Sequence, residues 1–147
     1  MSNLHNCFQL LLKKIGFDTS VQDLNKEIIS LEIGDNTYHF KEFPENHLLI
    51  YSLLDKMPET SMEELLSLLS ENHFSEQLMP PVFSYDQKTK LFLLWNRQSI
   101  QGLTEDSILE QLEAVISSNE TIQTVLNKDE TCNQISSNSE IFSGIRC

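Results

Sequence analysis

Glycine and proline are scarce, four of each in 147 residues. The glycines at 16, 34, 102 and 144 stand too far apart to build a phosphate-cradling loop, which excludes the familiar modes of nucleotide binding. No G-x-S-x-G nucleophile turn is present. Positive charge is also thin. Ten Lys and Arg face 22 Asp and Glu, a formal net charge of −12, and such a field repels nucleic acid and anionic lipid. No apolar run approaches the roughly 18 residues of a membrane span, and Met1 to Lys14 lacks the basic start and cleavage site of a signal peptide.

Cysteine is limited to Cys7, Cys132 and Cys147, an odd and widely spaced set that predicts free thiols in a reducing compartment. The histidines, at 5, 39, 47 and 73, form no H-x-x-x-H pair; only His39 and His47 could meet, across neighbouring strands, as a metal pair. His5 and Cys7 lie two apart on a predicted helix, so they point to different sides and make no nucleophile–base pair. The acid pairs Glu63–Glu64 and Glu105–Asp106 fall in predicted first turns of helices, where the positive end of the dipole accounts for them. The expectation is therefore no catalysis, no metal and no cofactor.

What the chain does have is enough apolar residue, 39%, for one domain with a core of its own. Leu4, Phe8, Leu11, Leu12 and Ile15 form a helical stripe over about residues 3–15, closed by Gly16. Ile29, Leu31 and Ile33 alternate with polar residues. Gly34-Asp35-Asn36 supplies a turn, and Tyr38 and Phe40 continue the alternation, a hairpin pattern. Leu48 to Leu54 predicts a third strand, apolar on both faces. Ser61-Met62-Glu63-Glu64 is a capping box opening a second helix with Leu65, Leu66 and Leu69. Val82 to Tyr85 and Lys90 to Trp95 flank Asp86-Gln87-Lys88-Thr89 as a second hairpin. Thr104 caps a last helix carrying Ile108, Leu112, Val115, Ile122 and Leu126, with Asn119 its polar interruption. The order α-β-β-β-α-β-β-α predicts an α+β fold with a mostly antiparallel sheet flanked by helices. From Asn127 the pattern stops. The expected division is a folded unit over 1–126 and a mobile tail over 127–147.

The strands at 48–54 and 91–95 leave a surplus of apolar surface. A small sheet with helices on one face has its other face open, so a second apolar face implies a partner; the alternative is a monomer whose helices wrap both faces. The residues Leu65, Leu66, Leu69, Leu91, Leu93 and Trp95 exceed what one small core needs, and they are the predicted dimer contacts.

Element order, length and acidity resemble the class I type III secretion chaperones. Phe8 to Gly16 is similar to their first helix. His47 to Pro58 is similar to their third strand and the proline turn after it. Leu91 to Trp95, then Leu103-Thr104 and the long helix, is similar to their last strand and closing helix. The resemblance covers about residues 3–126 and leaves the tail unexplained. It implies a dimer, of two copies or with a related chaperone, in the bacterial cytoplasm. It also implies that the dimer holds the N-terminal segment of a secreted effector, translocator or gatekeeper in extended form. The candidate client contacts are Phe8, Leu12 and Ile15 on the first helix and Ile29 and Leu31 on the adjoining strand, on the expectation that this helix exposes part of its stripe. A dimeric adaptor that sequesters a regulatory protein would share these features. A small-molecule-binding domain is disfavoured, because no convergent polar groups punctuate the apolar faces.

Overall fold

The computed structural model describes residues 3–16, 27–54 and 61–138, with side chains of the last helix described as far as Val125. The expectations for Phe17, Pro58, Cys147, Ile141, Phe142 and Ile145 lie outside the described residues, and those for Leu126, Cys132 and Ile135 outside the described side chains. The elements are α1 (Asn3–Lys14), β1 (Ile28–Ile33), β2 (Asn36–Glu42), β3 (His47–Leu54), α2 (Met62–Ser70), β4 (Val82–Asp86), β5 (Leu91–Ser99) and α3 (Glu105–Asn138). The α+β order expected from the sequence is the order found. The five strands make one antiparallel sheet in the order β1-β2-β3-β5-β4.

Local chemistry explains the boundaries. Gly16, at φ +82°, takes the left-handed conformation that ends α1. Gly34, at φ +61°, turns the chain between Ile33 and Asn36, the last pair of the first hairpin. In the second hairpin the Asp86 carboxylate accepts from Lys88 N–H at 3.0 Å and from Thr89 Oγ1 at 2.8 Å, and these bonds draw its pKa down. The capping box of α2 is complete: Glu64 N–H donates to Ser61 Oγ at 3.2 Å, and Ser61 N–H donates to Glu64 Oε2 at 2.7 Å. Thr104 caps α3 through a reciprocal pair with Ser107, each backbone N–H donating to the other's hydroxyl at 3.0 and 3.2 Å. Two elements are longer than the apolar pattern. β5 runs on through Asn96-Arg97-Gln98-Ser99, pairing with the start of β3. The helical backbone of α3 continues from Leu126 to Asn138, through residues whose composition alone suggests a tail.

One face of the sheet carries the core. Tyr38 and Phe40 of β2, Leu48 and Ile50 of β3 and Leu94 of β5 meet Leu4, Leu11, Ile108, Leu112 and Val115 of α1 and α3. The Phe8 ring meets Phe40 edge-on, with centroids 5.3 Å apart. α2 adds Leu65 and Leu68 to the same core beside β4. The ends of α1 and α3 are joined by charge. Lys14 Nζ lies 2.6 Å from Asp106 and Lys13 Nζ 3.5 Å from Glu105, cations at a helix C-terminus against acids at an N-terminus.

Polar residues fix how α3 lies on the sheet. Gln111, fully buried, donates to the Leu48 carbonyl at 3.0 Å, and Asn96 donates to the Gln111 carbonyl at 2.9 Å. Gln98 donates to Gln111 Oε1 at 2.7 Å and to the Ser107 carbonyl at 2.9 Å. Asn119, the foreseen interruption, is fully buried and donates to Tyr38 Oη at 3.3 Å. Gln111 was not foreseen, because an apolar stripe marks only the apolar part of a buried face.

Candidate functional site

Residues of opposite parity make the sheet's second face, and no described helix covers it. The register places three rows across it: Lys41–Leu49–Arg97, then His39–Tyr51–Trp95, then Leu53 beside Leu93. Lys41, Phe43, Leu49, Tyr51, Leu93, Trp95 and Arg97 line a shallow concavity of about 450 Å³. Trp95 Nε1 donates to Ser84 Oγ at 3.1 Å, which ties the indole to β4. His39 lies 4.9 Å from the Tyr51 ring and shares a 2.8 Å hydrogen bond with Ser30 Oγ. Partial burial pushes the His39 imidazole down and the Tyr51 phenol up from their ordinary ranges, favouring the neutral form of each.

A second surface is the outer side of α2. Met62, Leu66 and Leu69 are exposed there, and Phe74 and Leu78 follow on the segment leading to β4, each more than nine-tenths exposed. The third is the rim of the sheet at β1, which among the described residues has a neighbour on one side only. Ile29, Leu31 and Ile33 are half-buried along it and pack against the core. The opposite rim differs. Asn72, just past α2, donates from Nδ2 to the Phe83 carbonyl at 2.8 Å and accepts from Phe83 N–H at 2.7 Å. These are the two groups of Phe83 that face away from β5, so one side chain stands where an added strand would pair.

The predicted site residues are distributed over these surfaces and the core. Phe8 and Leu12 are core residues, 5% and 6% exposed, so α1 does not leave its stripe open. The stripe is broad because α1 packs on two neighbours, β2 and α3. Ile15, Ile29 and Leu31 are partly buried and each packs against the core. The six predicted dimer contacts do not form one surface. Leu65 packs inward, Leu66 and Leu69 face out from α2, and Leu91, Leu93 and Trp95 share the parity of the helix-free face. His39 and His47 do not meet, since the register sets His39 opposite Tyr51 and His47 opposite Ser99. His47 Nδ1 instead bonds the Glu45 carbonyl at 3.1 Å. Among the described residues no three His, Cys, Asp or Glu side chains are grouped to hold a metal, and no helix is long and apolar enough to cross a membrane. Sequence reading missed Lys41, Phe43, Leu49, Tyr51, Arg97 and Asn72. The two-faced apolar strand at 48–54 was the signal for the first group.

This architecture has close counterparts. The family model of the Tir chaperone protein (CesT) family matches residues 6–123. The YopE regulator of Yersinia pestis is 32% identical over 107 residues, covering 71% of this chain and 78% of the relative. A chain in the structure of the ExoT–SpcS complex from Pseudomonas aeruginosa superposes with a TM-score of 0.65 at 26% identity, over 82% of this chain and 98% of that one. At 14% identity, where the likeness is one of fold, a chain in the structure of the Yersinia pestis type III secretion chaperone SycH with a fragment of YscM2 gives a TM-score of 0.63, over 82% and 99%.

Proposed function

We propose that this chain, which belongs to the Tir chaperone protein (CesT) family, is a type III secretion chaperone that holds the N-terminal segment of a secreted client in extended form along the rim of its sheet at β1. It works in the bacterial cytoplasm, where its folded unit over 1–126 keeps the client soluble and competent for export. No step requires bond-making chemistry; the work is recognition.

The observation that carries the reading is the asymmetry of the sheet's two rims. At β4 the outward groups of Phe83 are taken by Asn72; at β1 the described residues offer no such partner. An extended segment can pair with β1 through its backbone, which gives affinity with little demand on client sequence. Its alternate side chains then fall beside Ile15, Ile29 and Leu31, which supply apolar contact. The outer side of α2, with Leu66 and Leu69, serves the dimer contact. A field of −12 keeps a protein with three exposed apolar surfaces from associating at random.

The test uses a backbone group. In a two-residue hairpin the flanking pair, Ile33 and Asn36, is the hydrogen-bonded one, so Ser30 and Glu32 direct their N–H groups away from β2. Glu32→Pro removes an outward donor and nothing the fold uses. The variant is expected to keep its melting temperature and to lose the polypeptide that co-purifies with the wild-type chain from its native host. Ser30→Pro repeats the test at the neighbouring amide. Full retention of that polypeptide by both folded variants would refute pairing at β1.

A further inference from the structure

We propose that residues 71–81, between α2 and β4, are a latch: they fill in cis a second strand-binding site, between β4 and α3, which an extended segment of the client takes by displacing them. The proposal rests on the reading of this chain as a client-holding protein and adds a gated site at the far rim of the sheet from β1.

The segment is lightly held. It forms neither helix nor strand, and of residues 71–80 all but Met79 are exposed. One pin is Asn72, whose amide stands in for a strand by taking both outward groups of Phe83. The other is Asn96 of β5, which donates to the Met79 carbonyl at 3.2 Å. Clefts of about 190 Å³ and 380 Å³ adjoin the segment, the first reaching Phe83, Leu94 and Ile122 and the second Ala114 of α3. A well-packed core element leaves no such space beside it.

The pin at Asn96 is half made. The side chain is 2% exposed, and Nδ2 donates to two carbonyls, those of Met79 and Gln111. Oδ1 is buried and has no partner among the described residues. An acceptor buried bare in this way is costly. The sequence explains the omission, because the two residues after Met79 are Pro80 and Pro81, which have no N–H. An extended segment with ordinary residues at this point brings the N–H that Oδ1 lacks. Its backbone pairs with Phe83 as Asn72 does, and an apolar side chain enters the cleft at Phe83, Leu94 and Ile122. The closed latch thus leaves unmade a bond that the incoming strand makes, and this difference is what lets the strand compete with a segment already tethered in place. A second copy's latch in the same position carries the same prolines and leaves Oδ1 bare, so an exchange of latches between two copies gains nothing there.

The first measurement is hydrogen exchange on the free wild-type chain. The Phe83 amide is expected to exchange at least about tenfold faster than that of Leu94, because the latch opens while the sheet stays closed. The second uses two synthetic peptides added in trans: residues 71–81 of this chain, and the same sequence with alanine in place of both prolines. Asn72→Ala unpins the latch. It is expected to bind the alanine peptide about threefold to tenfold tighter than the proline peptide, with a shift of the Asn96 side-chain amide resonances. Asn72→Asp keeps an acceptor for the Phe83 N–H and loses the donor; it is expected to bind more weakly than Asn72→Ala, with the same preference, and carries the comparison if Asn72→Ala does not fold. Phe83 exchange as slow as that of Leu94 would overturn the proposal. So would equal binding of the two peptides, or binding of neither, by a folded variant. Phe83 protection that rises with the concentration of peptide-free wild-type chain would give the site to a second copy and overturn it as well. None of these outcomes touches the Glu32→Pro test, so the two readings fail separately.

Discussion

Cys7 sits on the inward side of α1 at 4% exposure, and burial, reinforced by the charge of Glu42, pushes its thiol up from the usual range. The nucleophile in alkylation is the thiolate. In a C132S/C147S background, Cys7 is therefore expected to resist iodoacetamide in the folded protein and to react at the rate of a free cysteine in denaturant. Rapid labelling under native conditions, followed by mass spectrometry, would show that α1 opens readily. Burial of this kind was legible in the sequence wherever it rested on an apolar stripe. Gln111, Gln98 and Asn72 were not legible, because their roles depend on which backbone carbonyl or amide the fold brings within 3 Å of an amide side chain. Composition and spacing carry no record of that.

At the scale of elements, each helix and strand announced itself through a local signal. Ser61 with Glu64, Gly34 with Asp35, and the period of two at 29–33 are local agreements between residue type and backbone. Which face of an element is buried is not local. The stripe of α1 reads as too broad for a short helix until β2 and α3 are both placed against it. Likewise β3 is apolar on both faces, and only the position of the helices decides which face is core. The rim of β4 belongs at this scale too. Asn72→Ala would leave both outward groups of Phe83 without their partner. The expected effect is a loss of about 1–3 kcal/mol in urea unfolding. Increased self-association through the uncovered rim should follow, visible as a concentration-dependent rise in light scattering. Unchanged stability and unchanged scattering would mean that water replaces the side chain without consequence.

For the molecule as a whole, three exposed apolar surfaces and one strongly negative field define a protein that meets partners selectively. The surplus of leucine in the sequence was the visible sign of this. Its division among α2, the helix-free face and the β1 rim needed the three-dimensional register, and six residues grouped by type separated once that register was known. If the outer side of α2 holds two copies together, L66E/L69E places two carboxylates in that contact. The variant should then be a folded monomer by multi-angle light scattering at micromolar concentration, where the wild-type chain is expected to be a dimer. A variant that remains dimeric would move the contact away from α2.

The packing of α1 on α3 has a consequence in time. The two helices are neighbours in space and lie at opposite ends of the described chain. During translation, α1 emerges on the order of ten seconds before the residues of α3 that cover it. Through that interval Leu4, Phe8 and Leu11 have the sheet but not α3 to pack on, and the sheet lacks the amide seam that orients α3. No shorter nascent chain can close this core. A protein wired in this way becomes competent only once α3 has been made. A cell that uses it has reason to stock it before the first client chain leaves the ribosome.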